Sequence, residues 1–166
     1  MKCIICGKGG QGVITLNYNL GYLASALGYK AISSETHGMA MRGGSVYTTL
    51  IIGDADSASV LKGSADLILS TDSTEAMRNV FFLHNNGVII SDGHIEHSCP
   101  FESIFINAME ISVEKFGSPA HGASVLLGKT IARFKNIFPV ERSVEILSKN
   151  KKININALNI GLGQNV

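Results

Sequence analysis

The stretch Cys6–Thr15 reads CGKGGQGVIT and follows the apolar run KCII at Lys2–Ile5. Before it, Lys2 to Cys6 has the composition of a buried strand. After it, Val13, Leu16, Leu20, Ala24 and Leu27 recur at helical spacing and Gly28 ends the period, which predicts a helix from Gln11 to Leu27. A strand, a glycine-rich turn and a helix make a βα unit, and the turn is where such units bind anions. Glycines let the backbone come close to a phosphate, and the helix N-terminus offers unpaired N–H groups and the positive end of its dipole. Two phosphate-binding patterns overlap in this turn. One is G-x-G-x-x-G through Gly7, Gly9 and Gly12; the other is K-G-G-x-G, the start of a phosphate loop in some ATPases.

The ATPase pattern fails on its own chemistry. It needs G-K-[ST] at its end, so that the lysine reaches the terminal phosphates and the hydroxyl holds magnesium. After Gly12 this chain has Val13 and Ile14, and Lys8 does not replace the missing lysine. The dinucleotide pattern goes further, because Glu35 stands near the end of the second predicted strand, where a ribose-binding carboxylate belongs. Two observations count against NAD or FAD. The chain is short for a dehydrogenase with a separate substrate domain, and Glu35 runs into a second unusual segment, ETHGMAMRGGSV.

The rest of the chain alternates. Strands are predicted at Lys30–Ser34, Val46–Ile52, Asp66–Ser70, Val88–Ser91 and Ile104–Ile106, with a loop from Thr36 to Gly44. Helices are predicted at Ser73–His84, capped by Asp72, and at Ala108–Lys115, His121–Phe134, Pro139–Lys149 and Ile153–Ile160. This order predicts one α/β domain over residues 1–166: a three-layer, Rossmann-like domain with a mainly parallel sheet and a helix-rich C-terminal third. At 166 residues the chain is long enough for a substantial core.

Composition narrows the function. Charged residues are 16% and the formal net charge is +1, so no clustered basic excess points to nucleic acid. No apolar run has membrane-spanning length, and the start, MKCIICGKGGQG, does not read as a signal peptide, so the expected location is cytoplasmic. An apolar share of 45% with so little charge suggests a surface covered by a partner. Cys3, Cys6 and Cys99 do not make a disulfide framework. On a strand, Cys3 and Cys6 point to opposite faces, so they read as small apolar fillers and not as a redox pair or metal clamp. His94 and His97 beside Cys99 lack a fourth ligand nearby, and no metal site is expected.

Two segments taken together carry a resemblance. Gly7–Val13 (GKGGQGV) and Ser34–Val46 (SETHGMAMRGGSV) resemble the gamma-type subunit or domain of 2-oxoacid:ferredoxin oxidoreductases, in particular the beta subunit of the indolepyruvate enzymes. Met41 departs from the glutamine usual in that subunit. His121–Ala132 (HGASVLLGKTIA) and Ile153–Gly161 (ININALNIG) resemble the late helices of the same family, so the likeness spans nearly the whole chain. The resemblance implies a reaction: oxidative decarboxylation of a 2-oxoacid, here an arylpyruvate, to an acyl-coenzyme A with electrons passed to ferredoxin. It also implies that this chain binds no cofactor itself and is not active alone. Thiamine diphosphate, magnesium and the iron–sulfur clusters would belong to a larger partner subunit, with coenzyme A as co-substrate and ferredoxin met through the complex. A homodimer is expected where that partner is absent.

The residues that would shape an acyl or coenzyme A site are Gly7, Gly9, Gly10, Gln11 and Gly12, with Arg42, Gly43 and Gly44. Arg42 offers bidentate donors to phosphate or carboxylate beside a flexible backbone; an exposed turn arginine is the simpler alternative. His37 close to Glu35 is a weak acid–base candidate, against an ordinary loop histidine. Met39 and Met41 suit a covered interface. Two readings from other classes stay open: a stand-alone NAD- or FAD-binding protein, and a non-catalytic binding module of the same fold.

Overall fold

The computed structural model describes residues 1–36, 43–94 and 99–164. Its centre is a six-stranded sheet in the order β2-β3-β1-β4-β5-β6. The strands are β1 Lys2–Lys8, β2 Ala31–Thr36, β3 Ser45–Ile52, β4 Ala65–Ser70, β5 Leu83–Asp92 and β6 Glu102–Ile106. β1 sits inside the sheet because Cys3, Ile4, Ile5 and Cys6 are all fully buried, so both of its faces need cover. The pairs β1–β4, β4–β5 and β5–β6 are parallel; β3 runs antiparallel to both β1 and β2. The sheet is therefore mainly parallel with one reversed strand. The link over residues 37–44 is the reason: it is shorter than the dozen or so residues a parallel crossover needs.

The helices are α1 Val13–Ala26, α2 Ser73–Arg78, α3 Ala108–Phe116, α4 Gly122–Arg133, α5 Val140–Ser148 and α6 Ile155–Leu162. They divide unequally between the faces. Cys3, Ile5, Leu67, Leu69, Val88 and Ile90 pack with residues of α1, α3, α4, α5 and α6 in the main core. Ile4, Cys6, Ile68 and Ile89 pack on the opposite face with Ala76 of α2 and Val60 of the β3–β4 connection. The three layers are present, and the second helical layer is thin.

The predicted helix 73–84 is shorter than its pattern suggested. α2 stops at Arg78, Asn79 donates its Nδ2–H to the Glu75 carbonyl at 2.9 Å, and a 3₁₀ turn at Val80–Phe82 leads into β5. His84 is thus on a strand, with Nε2 3.0 Å from Asp66 Oδ1. No helix among the described residues is long and apolar enough to cross a membrane.

Cys3 and Cys6 lie in different core clusters, on opposite faces of β1. Burial pushes both thiols up to about 12. Only thiolates react with Ellman's reagent. In native protein at pH 8 the half-buried Cys99 is therefore expected to react alone, with the two buried thiols reacting only after guanidinium is added. Rapid labelling of all three without denaturant would contradict this packing.

Candidate functional site

The carboxyl ends of β1, β4, β5 and β6, the end of β2 and the start of β3 meet at one edge of the sheet. There the chain leaves β1 at Lys8 and turns through the glycines. Gly12, with φ +85°, precedes the first residue of α1, and no side chain caps that helix. The left-handed conformation at Gly10 (φ +96°) and Gly12 is one that L side chains rarely adopt, which explains why the turn is built of glycine. Gln11 fixes the turn from within. Its Oε1 accepts from Lys8 N at 2.9 Å and from Thr71 Oγ1 at 3.0 Å. Thr71 N in turn donates to the Cys6 carbonyl at 3.0 Å, which ties β4 to the turn.

The two glycine segments touch. Gly9 N donates to the Gly44 carbonyl at 2.8 Å, and Gly43 N donates to the Gly9 carbonyl at 3.3 Å. This contact exists because β3 lies beside β1 and begins at the same edge where β1 ends. Gly7, Gly9, Gly10, Gln11, Gly12, Gly43 and Gly44 are thus brought together. His37, Met39, Met41 and Arg42 lie outside the described residues. Glu35 is exposed near the end of β2 and lines a groove with Asn17, Tyr22 and Ser33. β3 separates β2 from β1, so two strand spacings of about 4.8 Å each divide the Glu35 strand from the strand that carries the glycine turn. In a dinucleotide fold the ribose carboxylate stands on the neighbouring strand.

Two concave regions flank the turn. A cleft of about 580 Å³ is lined by Gly10, Gln11, Gly12, Met109, Ser118, Pro119 and Ala120, where α1, α3 and the turn into α4 begin. A smaller one of about 300 Å³ is lined by Lys8, Gly9, Gly10, Gly12, Val13, Ile14 and Val46. Of these helix starts, that of α3 is occupied by an acid: Asp92 Oδ1 accepts from Met109 N at 2.9 Å. Burial pushes the Asp92 carboxyl up, against the hydrogen bonds from the Met109 and Ala108 N–H groups.

The charges beside the turn are largely paired. Lys8 Nζ lies 2.7 Å from Asp72 Oδ2. Asp72 also caps α2, accepting from Glu75 N at 3.1 Å, as its position after the strand predicts. Burial works against its ionisation, but Lys8 and the Glu75 and Thr74 N–H groups hold its carboxyl below the usual range. Glu75 is almost fully buried, accepting from Ser45 Oγ at 2.5 Å and from Arg78 Nη1 at 2.8 Å. It pins the first residue of β3 to α2. The sequence reading missed Thr71, Ser45 and Glu75. A hint was available, since Asp72 and Glu75 have capping-box spacing, but this Glu75 side chain turns to Ser45 and Arg78. His97, which the sequence sets near His94 and Cys99 with no metal site expected, lies outside the described residues.

The chain belongs to the pyruvate ferredoxin/flavodoxin oxidoreductase family, whose pattern matches residues 2–164. Among curated relatives, it is 28% identical to indolepyruvate oxidoreductase subunit IorB of Archaeoglobus fulgidus, over 99% of this chain and 94% of that one. With subunit IorB of Thermococcus kodakarensis it shares 40% identity over 54% of this chain and 45% of the relative. The fold matches the gamma subunit of a keto/oxoacid ferredoxin oxidoreductase from Geobacter sulfurreducens with a TM-score of 0.79 at 20% identity, over 98% of this chain and 96% of the other. It also matches 2-oxoglutarate:ferredoxin oxidoreductase from Magnetococcus marinus, solved with 2-oxoglutarate, coenzyme A and succinyl-CoA bound. There the TM-score is 0.75 at 15% identity, over 98% of this chain and 30% of that larger one. Within the family, the chain is a subunit of a 2-oxoacid:ferredoxin oxidoreductase.

Proposed function

We propose that this subunit serves an enzyme acting on arylpyruvates such as indolepyruvate, and that its two joined glycine segments form one wall of the acyl or coenzyme A site. The observation that carries this reading is the reciprocal pair of hydrogen bonds between Gly9 and the Gly43–Gly44 segment, beside the uncapped start of α1. Backbone N–H groups at a helix start suit an anionic group, and Arg42, which directly precedes Gly43, adds a bidentate donor. The reaction converts a 2-oxoacid, coenzyme A and two oxidised ferredoxins to acyl-coenzyme A, carbon dioxide, a proton and two reduced ferredoxins. Thiamine diphosphate, magnesium and iron–sulfur clusters are assigned to a larger partner subunit. Cys3 and Cys6, buried on opposite faces of one strand, are not disposed to hold a cluster. The dinucleotide alternative is weakened by the separation of the β2 and β1 strands.

The test is the complex reconstituted with the thiamine-bearing, cysteine-rich subunit of the same organism. Viologen-dye reduction is followed with indolepyruvate while coenzyme A is varied. A charge-assisted hydrogen bond contributes about 1.5–3 kcal/mol, so Arg42→Ala is expected to lower kcat/KM for coenzyme A by about tenfold or more. If Arg42→Ala assembles and melts normally and turns over like the parent at every coenzyme A concentration, the patch is not the functional surface. A visible flavin or cluster band at one per chain in the isolated protein would contradict the assignment of cofactors to the partner.

A further inference from the structure

No charged side chain occurs between Lys8 and Lys30, a span that includes the whole of α1. A helix on a solvated surface puts charged and polar residues on its outer face. Here the outer face carries Ile14, Tyr18 and Tyr22, which are 41%, 59% and 37% exposed and follow one another at intervals of four residues. The Tyr18 and Tyr22 rings stack, with centroids 6.3 Å apart. Exposed Tyr29 continues the neutral surface beyond the helix. Beside the stripe runs a groove of about 530 Å³. Tyr18, Tyr22 and Ser25 of α1 form one wall, Ser33 and Glu35 of β2 the other, and Leu50 lies at its base. β2 is the edge of the sheet, with no strand on its outer side among the described residues.

Beneath the stripe, a buried amide ties α1 to β2. Asn17 is 3% exposed; its Nδ2 donates to Ser33 Oγ at 2.6 Å, but its Oδ1 has no partner among the described residues. The stripe is continuous with the glycine turn, because Ile14 lines the same small cleft as Gly9, Gly10 and Gly12.

Resting on the reading above, we propose that the α1 stripe and the α1–β2 groove dock the larger, thiamine-bearing subunit through a segment that is uncharged where it covers the stripe. That segment lays apolar or aromatic side chains on Tyr18 and Tyr22. Two observations favour this occupant over a second copy of the chain. A body that completes the site at the glycine segments meets Ile14 next, whereas a second copy there would cover the cleft and bring no further chemistry. In the Magnetococcus structure, moreover, the same fold is only 30% of a longer oxidoreductase chain, so it tolerates having a much larger body beside it.

The experiment measures binding of this chain to the co-expressed, tagged larger subunit, with circular dichroism as the fold control. Tyr18→Glu/Tyr22→Glu is expected to weaken association by about 100-fold or more, as for two buried tyrosine anchors, and Tyr18→Ser/Tyr22→Ser by less. Lys135→Glu, an exposed position away from the stripe, is expected to bind like the parent. If the parent binds and both tyrosine variants bind equally well, the docking surface is wrong and the subunit reading stands. If the parent does not bind the larger subunit at all, the subunit reading fails and this proposal with it. If the tyrosine variants turn a dimer of the isolated chain into monomers yet still bind the larger subunit, a second copy is the occupant and the proposal is overturned.

Discussion

Gly161→Ala is expected to lower the stability of this chain by about 3 kcal/mol, toward the upper end of what overpacking a core costs. α4 and α6 cross at a pair of glycines. A Cβ on Gly161 would lie 2.0 Å from the Val125 carbonyl oxygen and 2.9 Å from Lys129 N; a Cβ on Gly128 would lie 2.1 Å from the Leu158 carbonyl oxygen. These are backbone atoms of the facing helix, so no side chain can swing aside, and the helices must separate. Leu126, Leu127, Ala157 and Leu158 on these helices are all buried, and separation would open gaps around them. Urea unfolding followed by far-UV circular dichroism measures the loss. Gly128→Ala should cost a similar amount, and the double variant less than the sum, because the first substitution has already moved the helices apart. A loss under about 0.5 kcal/mol, the range of surface substitutions, would mean that the crossing is looser than described.

Gly7→Ala is the second large effect, and it acts on the candidate site. The new methyl group would lie 1.9 Å from Thr71 Oγ1 and 2.9 Å from Val13 Cγ2. Thr71 is fully buried, and its hydroxyl donates to Gln11 Oε1, the atom that also holds Lys8 N. Moving it breaks the bond that shapes the glycine turn. The expected result is a stability loss of about 2–3 kcal/mol, from overpacking and one lost buried hydrogen bond. Turnover of the assembled complex should fall by at least tenfold, about 1.4 kcal/mol of barrier, if the turn binds the anionic substrate. Removing the clashing oxygen tests the cause. Gly7→Ala/Thr71→Ala should recover part of the stability but not the turnover, because Gln11 then lacks its anchor. Full turnover in the single variant at a temperature well below its melting point would detach the turn from the chemistry.

Both sites show what could be read along the chain. Gly10 and Gly12 were legible because a turn is a local event, set by φ preferences within a few residues, whereas the need for Gly7, on β1, comes from the remote Thr71. The α1 helix was legible for the same local reason, since Val13, Leu16, Leu20 and Ala24 repeat at the helical period and all are buried. Opposite placement of Cys3 and Cys6 followed from the two-residue period of a strand. The helix 73–84 was overextended because Asn79, which ends α2, is a common enough helical residue until its amide finds the Glu75 carbonyl.

The α/β class, the place of the glycine turn and the two segments that carry the family are all legible in the order of residues. The tertiary structure alone decided which strands are neighbours. β3 could join β1 only by antiparallel pairing along its whole length, from Lys2 opposite Ile51 to Lys8 opposite Ser45. That pairing brings Gly44 to Gly9, and it moves Glu35 a strand away from the turn. Lys8 with Asp72, Ser45 with Glu75 and Gly128 against Leu158 likewise join residues far apart in sequence. No local preference encodes such contacts. They depend on the free energy of packing two remote segments together, which exists only once the chain has closed the loop between them.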